Sequence, residues 1–254
     1  MKIIRRFYND FFRPSQYDGY ERILQAAKEA GYEFHTVQSF ENATGSRMII
    51  LRKDIDTKDL KCMRALLELD KRYGARSSWY FRWNTMDIEL IHEIALAGGE
   101  ASYHYEEIAT YCYKHHIRTK EEMMRFLEDI KDLFIKQYAK FKSITGQPCL
   151  TIASHGDYVN RKFRYQNKEL IDNRVRKACG IVREAYDNEH MSRISYRVAD
   201  QVEMENFVQK AIDAIARGEN VIELLMHPRQ WNSPFLVNMI EEASRVWKQI
   251  YMRL

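Results

Sequence analysis

The segment Arg52-Lys53-Asp54-Ile55-Asp56 places two carboxylates one residue apart at the end of a strongly apolar run, Arg47 to Lys53 (RMIILRK). In an extended strand alternate side chains share a face, so Arg52, Asp54 and Asp56 point one way and Lys53 and Ile55 the other. Two carboxylates crowded on one face repel unless a cation separates them or one takes a proton. A metal ion resolves that cost, with one aspartate as ligand and the other free to act as a base. The competing reading makes Asp56 only the cap of a following helix, in Asp-Thr-Lys-Asp. Spacing alone leaves both readings open.

Three of the eight histidines stand where such a site would need them. His104 lies near the end of Glu100-Ala-Ser-Tyr-His-Tyr, His155 directly follows the run Cys149 to Ala153, and His227 directly follows Val221 to Met226. A carboxylate with two imidazoles is a common zinc-type ligand set that leaves one position for water. The remaining histidines read as structural: His35 in a strand, His92 in a helix, His115-His116 in a connection and His190 in a polar turn. The series Tyr103, Tyr105, Tyr111, Tyr113 reads as core and cleft wall. No GxGxxG, P-loop or GxSxG pattern occurs, which argues against dinucleotide, nucleoside triphosphate and serine-hydrolase chemistry.

The elements that must carry these residues alternate along the chain. Helical periodicity and glycine stops predict helices over Tyr17 to Ala30, Asp56 to Tyr73, Met86 to Ala97, Thr119 to Thr145, Val202 to Arg217 and from Ser233 to the C-terminus. Strands are expected over Tyr32 to Val37, Arg47 to Lys53, Arg76 to Arg82, Glu100 to Tyr105, Cys149 to Ser154, Gly180 to Tyr186, Ser192 to Arg197 and Asn220 to Met226. The stretch from Gly156 to about Asn173 reads as a polar loop. Strands separated by helices of ten or more residues imply βαβ units and a mostly parallel sheet, here a distorted (β/α) barrel of about seven parallel strands. In such folds active sites gather at the C-terminal ends of the strands, where the Asp pair and the three histidines fall.

Composition sets the outer limits. The 254 residues are 45% hydrophobic and 30% charged, with 40 basic residues interleaved among 36 acidic ones for a net charge of +4. That balance fits a globular chain with a sizeable core and gives no basic block for nucleic acid. No apolar run approaches the length of a membrane span. Four scattered cysteines without a CxxC pair, and an N-terminus interrupted by Asn9, Asp10 and Arg13, point to a cytoplasmic protein with reduced thiols. No linker or repeat breaks the chain, so residues 1–254 are expected to form a single domain.

Five segments in order resemble the polysaccharide deacetylase (NodB-homology) family, and within it the branch with an Arg-His-Asp-x-Asp signature. Leu51-Arg52-Lys53-Asp54-Ile55-Asp56 resembles that signature, with Lys53 in place of His. Gly74 to Arg82 resembles the strand that follows it, and Gly98-Gly99-Glu100-Ala101-Ser102-Tyr103-His104-Tyr105-Glu106 a Gly-His-Glu-Ile-Gly-Tyr-His-Tyr-Glu segment. Ser154-His155-Gly156 and His227-Pro228-Arg229-Gln230-Trp231 resemble the later His-Gly and His-Pro-x-x-Trp motifs. Two further positions depart from the pattern: Gly99 stands where the branch has His, and Ile108 where the wider family has a second histidine four residues after the first.

The resemblance implies metal-assisted hydrolysis of an amide or ester, typically an N-acetyl group on a sugar. Carried onto this chain, it makes Asp54 the general base, Asp56 and His104 metal ligands, and His227 the general acid, with His155 nominated as the third ligand. Zinc or a similar divalent ion is the expected metal. Arg52 is expected to keep Asp54 charged and to border the substrate, and Trp83 or Trp231 to form an apolar wall for a sugar ring. The partner is then a carbohydrate or acylated sugar, and without a leader a nucleotide-linked or lipid-linked precursor; the oligomeric state is left open. Two competing readings are a small-molecule amidohydrolase on the same scaffold and a catalytically inactive carbohydrate-binding relative.

Overall fold

The run Met48–Ile55 is apolar or engaged at every position, and each of its residues is buried. Such a strand needs a neighbour on both edges and a layer on both faces. The computed structural model, which describes residues 15–203, 206–232 and 235–252, provides both. The strands are β1 (Glu33–His35), β2 (Met48–Ile55), β3 (Ser78–Phe81), β4 (Glu100–Tyr105), β5 (Thr151–Ser154), β6 (Arg183–Glu184), β7 (Tyr196–Ala199) and β8 (Val221–Met226). All pair in parallel, in the order β6-β5-β4-β3-β2-β8-β7. The seven strands curl into a half-barrel, and among the described residues β6 and β7 do not pair. β1 runs beside the first half of β2 (Ile49 opposite Phe34), and β3 takes over the same edge from Arg52 onward.

Strand parity divides the molecule into two environments. Ile49, Leu51, Ile55, Trp79, Phe81, Tyr103, Tyr105, Ile152, Ile222 and Leu224 face the helices and make the large hydrophobic core. The inward positions hold a smaller apolar cluster, in which Val37 and Phe40 of the short helix Val37–Phe40 pack on Met48, Ile50, Tyr80 and Val221. Above it the interior is polar. Arg52, Glu100, Glu184 and Glu223 are all buried inside the half-barrel. Burial pushes the Glu184 carboxyl up to about 7 despite hydrogen bonds from the Ser154 and Tyr186 amides.

The departures from the expected elements are local. The helix after β2 begins at Leu60, not Asp56, because Asp59 caps it by accepting from the Cys62 amide. That removes the capping role from Asp56 and leaves its carboxylate to the barrel mouth. The expected helix Thr119 to Thr145 breaks at Phe126 into Lys120–Arg125 and Leu127–Thr145. A helix over Glu107–Lys114 was not expected. The stretch read as a loop holds the helix Tyr158–Phe163, capped by Asp157, and a 3-10 turn over Asn167–Leu170. β6 is shorter than the expected Gly180 to Tyr186, and β7 ends at Ala199, two residues beyond the expected Arg197. His190 lies in the helix Asn188–Ser192 and is buried against Glu41, not in a turn. The expected start of the last helix at Ser233, and the reading of the N-terminus before Ser15, lie outside the described residues; the last helix is Phe235–Tyr251. Among the described residues no helix is long and apolar enough to cross a membrane.

Lys53 faces outward, as parity requires. Its ammonium donates to Asp70 at 2.7 Å and to the Tyr20 hydroxyl at 3.1 Å, and lies 4.7 Å from the Trp79 ring. Asp70 also accepts from Tyr20 and Ser77. Removing one partner of a buried pair leaves the other charge stranded, at a cost of about 3–5 kcal/mol. Lys53→Met is therefore expected to lower the unfolding free energy by about that amount in urea titration while leaving the barrel mouth intact. A loss below about 1 kcal/mol would contradict the role given to this pair.

Candidate active site

The site forms where five strands end. β2 continues through Asp54 to Asp56, β4 through His104 to Glu106, β5 to His155, β7 to Asp200 and β8 to His227. Alternation puts Arg52, Asp54 and Asp56 on the inner face, and His104 and Glu106 on that of β4. The fold thus brings Asp54, Asp56, His104, His155 and His227 together from four separate segments.

Asp56 is the point on which the others converge. Its Oδ1 lies 3.3 Å from His104 Nε2 and 3.7 Å from His155 Nε2. That oxygen is buried and makes no hydrogen bond among the described residues, while Asp56 Oδ2 accepts from Gln201 at 3.4 Å. His104 is anchored by its far nitrogen, with Nδ1 2.9 Å from the Ala153 carbonyl. A carbonyl accepts only from N–H, which turns His104 Nε2 toward Asp56. His155 Nδ1 lies 3.0 Å from Glu106 Oε2 but makes no hydrogen bond among the described residues. Glu106 is in turn gripped by Arg82 at 2.9 Å, and Arg82 also donates to the Asp56 carbonyl. Burial opposes ionisation of Glu106, but His155, Arg82 and Lys248 outweigh it and hold the carboxyl low.

This donor set fits a divalent cation. Ligands at zinc-type bond lengths in a tetrahedral arrangement stand about 3.4 Å apart, close to the two separations at Asp56. The orphaned Oδ1 is an acceptor without a donor, which a cation would satisfy. Among the described residues no three His, Cys, Asp or Glu side chains stand arranged to hold a metal ion. Ile108 sits in the main core and takes no part.

Asp54 stands beside this group in a different state. Arg52 grips it with two parallel bonds, Nε to Oδ1 at 2.9 Å and Nη2 to Oδ2 at 2.7 Å. Asp54 Oδ2 is also 3.8 Å from His104 Nε2. Burial by itself would raise the Asp54 carboxyl, but Arg52, His104 and His227 outweigh it and the net shift is downward. Asp54 is therefore a carboxylate held charged in a nearly dry site, free to take a proton during reaction.

His227 is held by a residue that sequence reasoning missed. Asp200 accepts from His227 Nδ1 and from the His227 amide, each at 2.6 Å, and from the Trp231 indole at 2.9 Å. Burial would lower His227, but the adjacent Asp200, with Asp56 and Asp54, raises it to about 9. The imidazole is thus protonated at neutral pH, with its Nδ1–H on Asp200 and its Nε2–H available. Asp200 follows β7 directly, so a strand reading that stopped at Arg197 hid it. The signal for Glu106 was its parity with His104.

Three expected roles are corrected. Arg52 is fully buried, and its fork is spent on Asp54, with Glu223 3.9 Å away, so it does not border a substrate. Trp231 is fully buried against Tyr20 and Phe207. Trp83 packs on Tyr103 and Phe141, on the helix side of the sheet. Trp231 belongs to the core, its indole recruited to Asp200, and Trp83 is half-buried against the core because odd-numbered residues of β3 and its extension point away from the mouth. Neither forms a sugar-facing wall.

The fold and site together describe an α/β half-barrel whose C-terminal mouth gathers carboxylates and imidazoles. No family model matches the chain, and no curated protein matches it. In structure it is similar to a CE4 family pseudoenzyme from Bacillus anthracis, BA3943, with 13% identity and a TM-score of 0.37 over 78% of this chain and 61% of that one. A mutant of that pseudoenzyme gives 12% and 0.39 over 78% and 63%. A mutant form of the peptidoglycan deacetylase PdaC from Bacillus subtilis gives 12% and 0.37 over 82% and 92%. The chain spans less than two thirds of the pseudoenzyme's length. These are distant likenesses, and nothing about activity follows from them.

Proposed function

We propose that this chain is a metal-dependent hydrolase that removes an acyl group, an N-acetyl group in the favoured reading, from a sugar or sugar precursor. The observation that carries it is the pairing at the mouth of β2: Asp56, unbonded at Oδ1 and faced by two imidazole nitrogens, beside Asp54, clamped in its charged form by Arg52. The five segments that resemble the Arg-His-Asp-x-Asp branch of the polysaccharide deacetylases support the same reading.

Asp56, His104 and His155 would hold the ion. When bound, a divalent metal such as zinc supplies Lewis-acid charge for the acyl carbonyl and makes water more acidic. The remaining chemistry belongs to the side chains. Asp54 takes a proton from the attacking water as its oxygen bonds to the acyl carbon. Arg52 keeps Asp54 from being protonated beforehand. As the C–N bond breaks, His227 gives the leaving nitrogen its Nε2 proton, and Asp200 holds the ring in place for that transfer. Glu106, held by Arg82, stands beside His155 Nδ1.

The test is acyl release from acetylated amino sugars and from small linear or cyclic amides, with zinc, cobalt or nickel added and with a chelator. Release from the acetylated sugars that the chelator abolishes is the expected result. Turnover of small amides alone would replace the sugar by a small-molecule substrate, and no release from any of them with metal bound would contradict the hydrolytic reading.

A further inference from the structure

A cleft of about 480 Å³ opens beside the candidate metal residues, with His155 in its wall. Its inner wall includes Asn167, which is nearly fully buried and donates to the His155 carbonyl, and Tyr186, whose ring rests against the Arg52 guanidinium. Among the described residues the Tyr186 hydroxyl makes no hydrogen bond. The outer wall carries Arg161 and Arg164, both exposed.

These two arginines differ from the others around the mouth. Arg52, Arg82, Arg176 and Arg183 are each committed to a carboxylate. Among the described residues the guanidinium groups of Arg161 and Arg164 have neither an ion pair nor a hydrogen bond. Of the two acidic groups in the same cleft, one is paired with a cation outside it and the other keeps its charge, so the two arginines leave the lining net positive. Asp157 is tied to Lys248 at 3.2 Å and to the Tyr113 hydroxyl at 2.7 Å, and Glu169 accepts from the Gln166 amide at 2.9 Å.

We propose that this cleft is an anion subsite for the part of the substrate remote from the acyl group, and that the anion is a phosphate, so that the substrate is a phosphorylated acylamino sugar. The inference rests on the hydrolytic reading above for the position of the acyl group. Two separate guanidinium forks suit the three oxygens and double charge of a phosphate monoester, whereas a carboxylate is saturated by one fork. Asn167 and Tyr186 on the inner wall leave polar groups for sugar hydroxyls between the phosphate and the site at Asp56.

Calorimetric binding tests the subsite without requiring turnover. Glucosamine 1-phosphate, glucosamine and glucuronic acid are titrated into wild type and into the double variant Arg161→Gln/Arg164→Gln, at low and at moderate salt. The expected result is that wild type binds glucosamine 1-phosphate on the order of tenfold more tightly than glucosamine, the size of two partly exposed charge-assisted contacts. That preference shrinks with salt and disappears in the double variant, while the variant's Tm and its affinity for glucosamine are unchanged. Equal affinities in wild type, or a preference that survives in the double variant, would overturn the subsite. Tighter binding of glucuronic acid than of the phosphate would overturn the choice of anion. A phosphate preference without acyl release from any sugar refutes hydrolysis and leaves the subsite standing. Equal acyl release from neutral and phosphorylated sugars does the reverse.

Discussion

Asp54→Asn lowers kcat by at least about 10²-fold, the usual size of a general-base contribution, while Asp56, His104 and His155 keep their capacity for a metal. Asparagine matches aspartate in shape but neither accepts a proton at working pH nor neutralises Arg52. Arg52 is fully buried, so the variant also loses stability, by about 3–5 kcal/mol, as one partner of a buried pair is removed. Rate and metal content are therefore measured on protein shown to be folded by circular dichroism at the assay temperature. Full activity in folded Asp54→Asn would remove Asp54 from the mechanism, and the argument from the Arg52 clamp with it.

The second large effect lies on the other side of the reaction. Wild-type activity is expected to fall as pH rises through about 9, where His227 loses the proton it must donate. In Asp200→Asn the nearest of the charges that raise His227 is gone, and burial, opposed now only by Asp56 and Asp54, carries the ring below its wild-type value. The alkaline limb therefore moves to lower pH, and the rate falls more at pH 8 than at pH 6, where both rings hold their proton. A merely structural role for Asp200 would lower the rate equally at both pH values and leave the limb in place. The same residue links pH to stability. The folded value lies above the unfolded one, so this stabilisation is complete below about pH 6.5 and is lost as pH rises through about 9. Tm should decline over that window in wild type and much less in Asp200→Asn.

Much of the fold and of the site is legible in the sequence through strand parity and position. The inward face of Arg52, Asp54 and Asp56, the outward face of Lys53 and the placement of three histidines at strand ends all follow from a period of two and from parallel βαβ order. The half-barrel with its seven-strand path has the same origin. What was hidden has identifiable causes. Asp59 and Asp56 are both credible caps for the helix after β2, and only packing chooses Asp59. β7 is too short and too mixed, Tyr-Arg-Val-Ala, to mark its own end, so Asp200 could not be recognised as a strand-terminal residue. The tryptophans were given to a sugar because aromatic residues near a site suit a ring. Trp231 is instead drawn under the site by a hydrogen bond to Asp200, and Trp83 is turned outward by the pleat. The helix Tyr158–Phe163 lay in a polar stretch with little periodicity, so the cleft that it lines with Arg161 and Arg164 was not legible either.

The central claim is that Asp56, His104 and His155 form a metal centre, and metal content tests it most directly. Purified wild type, Asp56→Ala and His104→Ala are compared by elemental analysis, as isolated and after equilibration with zinc, cobalt or nickel. The account expects about one divalent ion per chain in wild type and loss of it in both variants, with each variant still folded. A wild-type chain that takes up no metal from any of the three, or variants that retain it fully, would contradict the claim.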